Sequence, residues 1–188
     1  MKKIYYCEQF PREISQHRLA YFLLERALTL AYPEISWKNV KYGREELGKP
    51  FLEEHPGILF NISHCKTCVA CVIGDSAVGI DVERRFSWKE PLARRITHSG
   101  EWDWLGQTED VRAARLNLLW SRKESYLKCV GTGIRSDLRK INVLGELIDD
   151  GGSFYFQELQ TPEFTLAVCS REKEEASIVR LDWQDLCK

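Results

Sequence analysis

The stretch Val78-Gly79-Ile80-Asp81-Val82-Glu83 decides how this chain reads. It alternates with a period of two. A strand here turns Val78, Ile80 and Val82 to a core and Gly79, Asp81 and Glu83 to the opposite face. Two carboxylates on one rigid face repel each other unless something positive lies between them. A hard divalent cation such as Mg²⁺ prefers oxygen ligands and is held by few carboxylates plus substrate phosphates. Mn²⁺ suits the same donors. A solvated strand face explains an isolated D-x-E equally simply. What separates the two readings is a third carboxylate, Glu124, on an expected helix.

The chain has 188 residues, 44% of them hydrophobic, enough for a core in one domain or two small lobes. Its 27 basic and 28 acidic residues leave a net charge of -1, which argues against a nucleic-acid partner. The longest run without Lys, Arg, Asp or Glu is eleven residues, His55 to Cys65, too short to cross a membrane. The opening residues carry charge and no apolar segment of the kind a secretory signal needs. Seven cysteines without a framework-like spacing fit reduced thiols and a cytoplasmic location. Cys65, Cys68 and Cys71 beside His64 could also be read as metal ligands. Val69 to Ile73 reads instead as buried strand, where cysteine packs as a small hydrophobe, and that reading is preferred.

Ser15 is placed to cap a helix reaching about Tyr32, with Leu19, Phe22, Leu23, Ala27 and Leu30 on its apolar face. Residues 58–62 read as extended. Two hairpins are expected, Cys68–Ile73 with Ala77–Glu83, and Phe164–Ser170 with Ala176–Leu181. Between them a second helix covers about Val111 to Cys129 and stops at Gly131. The order helix, extended segment, hairpin therefore occurs twice. It predicts an α+β fold of two similar lobes, residues 1–80 and 81–188, folded as one unit. The carboxylates then fall at the lobe interface, a common place for a ligand cleft.

On the second helix Leu116, Leu119, Trp120, Leu127 and Val130 form an apolar stripe. Glu124 and Lys128 lie four apart at its border, a spacing that an ordinary surface pair also satisfies. Lys123 sits inside the stripe, which predicts a polar cleft along the stripe's edge. Gly131-Thr132-Gly133 follows, a loop that lets backbone approach a ligand closely.

Four segments in this order resemble the 4'-phosphopantetheinyl transferases. They are Gly48-Lys49-Pro50, Phe60-Asn61-Ile62-Ser63-His64, Val78 to Glu83, and Trp120-Ser121-Arg122-Lys123-Glu124-Ser125-Tyr126-Leu127-Lys128. The resemblance spans about residues 15 to 135. Asp81 follows an entire lobe, and the helix reads W-x-x-K-E-S. Both features resemble the pseudo-dimeric, surfactin-synthetase-activating type rather than the shorter homotrimeric synthases. That type implies a monomer whose lobes are related by a pseudo-twofold axis, with coenzyme A between them.

The activity so implied moves 4'-phosphopantetheine from coenzyme A to a serine of an apo acyl or peptidyl carrier protein. Adenosine 3',5'-bisphosphate is released. The resemblance assigns Asp81, Glu83 and Glu124 to Mg²⁺, Lys128 to the pyrophosphate, and Lys49, Ser63 and His64 to the nucleotide and its phosphates. Arg18 is a further coenzyme A contact. Asp81, Glu124 and Lys128 form the expected catalytic set, with Glu124 as base for the serine proton. The basic residues Arg84, Arg85, Arg94 and Arg95, with Phe86, Leu92 and Ile96, fit a dock for an acidic carrier and a solvated basic helix equally well. Cys65 stands where the family often has serine. The basic segment usual upstream of His17 is shortened, which implies either that Arg12 substitutes as a contact for the 3'-phosphate or that affinity for coenzyme A is lower. The rival reading is a non-catalytic descendant that binds coenzyme A or a carrier; it gives no reason for keeping Asp81, Glu83, Glu124 and Lys128 together.

Overall fold

Two strands, β5 (Cys68–Gly74) and β9 (Phe164–Ser170), are buried along their whole length on both faces. Their sequences, Cys-Val-Ala-Cys-Val-Ile-Gly and Phe-Thr-Leu-Ala-Val-Cys-Ser, are nearly free of strongly polar residues, as a strand covered on both sides must be. Each lies inside a four-stranded sheet of the computed structural model. The structure describes all residues except 12, 134–136, 150–151 and 187–188. The other strands are β1 (Lys2–Glu8), β2 (Tyr42–Arg44), β3 (Pro50–Leu52), β4 (Leu59–His64), β6 (Val78–Arg84), β7 (Leu147–Asp149), β8 (Gly152–Gln160) and β10 (Ile178–Arg180). The helices are α1 (Gln16–Ala31), α2 (Glu90–Ile96), α3 (Trp102–Leu105), α4 (Glu109–Val130) and α5 (Trp183–Leu186).

The first sheet has the order β10-β1-β5-β4, the second β6-β9-β8-β7, and β2 with β3 forms a separate small pair. Alternation sorts the side chains. Tyr5, Cys7, Val69, Cys71 and Ile73 meet Leu19, Leu23, Leu24 and Ala27 of α1. From the other face Ile4, Ala70 and Val72 meet Val78, Ile80, Val82, Leu166 and Val168 of the second sheet. The two sheets thus pack on each other, with α1 outside one and α4 outside the other. The α+β class expected from the sequence is what the chain adopts. Ser15 caps α1 as anticipated, its Oγ accepting the Arg18 N–H at 3.5 Å. Leu30, expected on the buried face, is 44% exposed, and Ala20 and Leu28 take the inner positions.

Neither expected hairpin forms. Both edges of β5 are taken, by β1 and β4, so β6 crosses to the second sheet and pairs antiparallel with β9. Both edges of β9 are likewise taken, by β6 and β8, and β10 returns to the first sheet to pair parallel with β1. The repeat is real but begins one strand earlier than the sequence pattern placed it. β1, α1, β4 and β5 build the order β1-β5-β4, and β6, α4, β8 and β9 build β6-β9-β8. Residues 78 to 80 belong to the same strand as Asp81.

Gly79 sets the distance between β6 and α4. A Cβ there would lie 2.1 Å from the Ser125 carbonyl oxygen and 2.4 Å from the Cys129 nitrogen, so the helix rests on bare backbone.

Lys123 does not line a cleft. It is fully buried, and its Nζ donates to the carbonyls of Ile96 (2.6 Å), Leu138 (2.9 Å) and Ile141 (2.7 Å) and to Glu101 Oε2 (2.7 Å). Glu101, equally buried, also accepts the N–H groups of His98 and Val143 at 2.8 Å. One ammonium therefore ties α4 to the segments on either side of it in the chain. The apolar stripe carries a lysine because its partners are carbonyls from residues far along the sequence. Lys123→Met leaves Glu101 and three carbonyls buried without their cation. It is expected to lower stability by about 3–5 kcal/mol, read from urea unfolding at unchanged m.

Candidate active site

Where β6 passes under α4, Asp81 from the strand and Glu124 and Lys128 from the helix come together beside Ser63 of β4. Glu124 and Lys128 share a helix face because they are four residues apart. Asp81 shares a strand face with Gly79, and the missing side chain at Gly79 admits the helix. Lys128 Nζ lies 2.7 Å from Asp81 Oδ1 and 2.9 Å from Ser63 Oγ. The Ser63 hydroxyl donates to Asp81 Oδ1 at 3.3 Å and accepts the Val82 N–H at 3.2 Å. Glu83, half-buried, accepts the indole N–H of Trp120 at 3.4 Å.

Three carboxylates face one ammonium here, and the protonation of the site shows the strain. Burial pushes the Glu124 carboxyl up to about 7; the charge of Asp81 adds to this, and Lys128 opposes it. Glu83 is raised by burial and then by Asp81, against the Trp120 N–H and Lys128. Asp81 Oδ2 and Glu124 Oε1 are buried and accept no hydrogen bond. Buried carboxylate oxygens without donors are costly, and hard oxygen donors of this kind suit Mg²⁺ or Mn²⁺. Among the described residues no three His, Cys, Asp or Glu side chains are already arranged as a metal-ligating group, and Asp81 is paired with Lys128. The donor chemistry nevertheless fits a divalent cation.

Of the other residues singled out from the sequence, Lys49 and His64 lie near this point. The Lys49 ammonium sits on the carbonyls of Lys128 (2.8 Å), Cys129 (3.3 Å) and Val78 (3.4 Å), joining the end of α4 to the start of β6. Cations are favoured at a helix C-terminus. His64 stacks edge-on against His17 of α1 with ring centroids 6.0 Å apart. Partial burial, then the His17 and Lys128 charges, hold the His64 pKa below its usual value. Arg18 is exposed on α1, its guanidinium over the Phe22 ring at 5.1 Å. Arg12 lies outside the described residues. A cavity of 280 Å³ opens beside Glu124 and Lys128, and Leu47, Lys49, Asn61 and Gly131 also line it. Gly131 closes α4 in the left-handed conformation.

Two participants went unassigned in the sequence. Trp120 reads as part of the apolar stripe, and only the fold shows its N–H on Glu83. Asn61 Oδ1 accepts the Ile80 N–H at 2.9 Å. The available signal was two polar residues, Asn61 and Ser63, at period-two spacing on a strand. The cysteines Cys65, Cys68 and Cys71 do not converge on a ligand. All three are free thiols, and Cys68 and Cys71 point into cores on opposite faces of β5.

A family model described as the 4'-phosphopantetheinyl transferase superfamily matches residues 77–180, from the start of β6 to the end of β10. The chain belongs to that superfamily. The match continues well beyond residue 135, where the recognisable motifs end. Relatives include the 4'-phosphopantetheinyl transferase gsp of Aneurinibacillus migulanus, 34% identical over 113 residues, with 60% of this chain and 47% of the relative covered. The 4'-phosphopantetheinyl transferase Sfp of Bacillus subtilis (strain 168) is 27% identical over 175 residues, with 87% and 78% covered. A further 4'-phosphopantetheinyl transferase of Bacillus subtilis is 30% identical over 148 residues, with 77% and 65% covered. The chain thus spans about half the length of the first relative and more of the other two.

The raised carboxyl of Glu124 has a measurable consequence. Its folded pKa of about 7 lies above its ordinary value of 4.5, so the folded state holds the proton more tightly. The resulting stabilisation is complete below about 4.5 and is lost as pH rises through about 7. Stability of the chelator-treated protein is therefore expected to fall across this window, by at most about 1.4 kcal/mol per pH unit from this group. Glu124→Gln should flatten the slope. Unfolding curves at several pH values, with and without the substitution, check it.

Proposed function

We propose that this chain transfers the 4'-phosphopantetheine group of coenzyme A to a serine hydroxyl of an apo acyl or peptidyl carrier protein. The observation that carries this is the meeting of Asp81, Glu124 and Lys128 where the two sheets join, with an unpartnered oxygen on each carboxylate and a 280 Å³ cavity lined by Glu124 and Lys128. The superfamily membership supports the same reading.

In this reading the carrier serine oxygen attacks the phosphorus that bears the pantetheine arm. The bond from that phosphorus to the oxygen bridging to the nucleotide half breaks, and adenosine 3',5'-bisphosphate leaves. Glu124, directly or through a water held at the same site, takes the serine proton. Lys128, anchored by Ser63, neutralises charge on the leaving phosphate. Asp81, Glu83 and Glu124 would hold Mg²⁺, or Mn²⁺ in its place, which supplies Lewis-acid neutralisation of the pyrophosphate when bound. Lys49, His64 and Arg18 would contact the nucleotide and its phosphates, as the resemblance implies. We assign the two sheets to two lobes that grip coenzyme A as one monomer. Free thiols at Cys65, Cys68, Cys71, Cys129 and Cys169 agree with work in the cytoplasm. No described helix is long and apolar enough to cross a membrane.

Intact-mass analysis of an apo carrier incubated with the protein, coenzyme A and Mg²⁺ tests the reading. One added phosphopantetheine per carrier is expected, with none when the metal is chelated. Glu124→Ala should slow transfer by about 10²–10⁴-fold. No mass gain on fatty-acid, polyketide or peptide carriers, while coenzyme A still binds, would leave the chain a non-catalytic binder.

A further inference from the structure

We propose that Asn61 is a positioning residue for the carboxylate site. Its carboxamide fixes the strand that carries Asp81 against the first sheet. This rests on the metal reading of Asp81, Glu83 and Glu124 given above.

β6 is the edge strand of the second sheet and has ladder bonds only to β9. β4 is the edge strand of the first sheet and has ladder bonds only to β5. Where these two edges meet, side chains do the work of a ladder. Asn61 Oδ1 accepts the Ile80 N–H at 2.9 Å, and Ser63 Oγ accepts the Val82 N–H at 3.2 Å. The spacing matches on both sides, since residues 61 and 63 share one face of β4 and the amides of 80 and 82 share one edge of β6. Ile80 and Val82 bracket Asp81. The backbone at Asp81 cannot move away from β4 without stretching one of these two bonds.

The two braces are not equivalent. Ser63 also binds Lys128 and Asp81 directly, so its removal changes the charges of the site. Asn61 is 5% exposed and lines the cavity with Glu124 and Lys128. Its bond runs to backbone alone. An amide N–H can be met only by the carboxamide oxygen, which also fixes how the Asn61 side chain is turned. Asn61 therefore separates placement of the ligands from their chemistry. Groups that orient metal ligands from behind are commonly worth 10–100-fold in metal affinity.

The test is Mn²⁺ affinity of the full chain, with no coenzyme A or carrier present, read from the electron paramagnetic resonance signal of free ion. Thermal unfolding and amide exchange at Ile80 are followed in parallel. Asn61→Ala is expected to weaken Mn²⁺ binding about 10–100-fold and to speed exchange at Ile80, in protein that remains folded at the assay temperature. Asn61→Asp keeps an oxygen for the Ile80 N–H and should restore protection there. Should Asn61→Ala fail to fold, Asn61→Ser, with a shorter reach, is read in the same two ways. Unchanged Mn²⁺ affinity in the folded variant overturns the proposal, leaving Asn61 a purely structural residue. Wild-type protein that binds Mn²⁺ no better than Asp81→Asn overturns it as well, together with the metal reading. Weakened Mn²⁺ binding in the variant, with no phosphopantetheine transfer by the wild type, would uphold Asn61 and sink the transfer reading instead.

Discussion

The contact of α4 with β6 at Gly79 is the constraint on which the site depends. With the Ser125 carbonyl only 2.1 Å from where a Cβ would stand, the helix reaches the strand at backbone distance. Two residues further along the same face the strand offers Asp81, and the helix answers with Glu124 and Lys128. A larger residue at 79 would lift the helix and separate the acid on the strand from the groups on the helix. The buried Lys123–Glu101 pair acts on the far side of α4, holding residues 96–101 and 138–143 against it. The helix is thus fixed from two directions. Its position, rather than the flexibility of its side chains, governs how the acidic groups meet.

The electrostatics follow from that packing. Asp81 is nearly buried and is engaged by Lys128 and Ser63, so its charge is compensated on one oxygen. Glu124 has no such partner on Oε1 and lies within the field of Asp81, and burial therefore favours its protonated form. The site gathers more negative charge than the Lys128 ammonium offsets. The same arrangement disfavours an empty, fully ionised state.

The sequence showed faces and left neighbours hidden. The alternation of residues 78–83 named correctly which side of the strand is apolar, and the i,i+4 spacing brought Glu124 and Lys128 together. Both are local facts, set by the period of a strand and of a helix. Which strand lies beside β6 is not local, and two expected hairpins gave way to crossings between sheets. Lys123 was misjudged for a related reason. Its burial is tolerable because the Glu101 carboxylate and the carbonyls of residues 96, 138 and 141 converge on it, and no pattern within the helix encodes them. Asn61 lay within a recognisable motif, yet its partner amide belongs to another sheet.

The parallel pairing of β10 with β1 has a consequence for how the chain acquires this shape. Ile4 stands opposite Ile178, so β1 gains this neighbour only after the other strands of both sheets have been made. Closing so long a loop is entropically slow, and contacts of this separation lengthen folding times. During synthesis the outer edge of β1 is an open template for other chains until β10 emerges. That edge of β1 therefore stays unpaired throughout the making of the strands between β1 and β10.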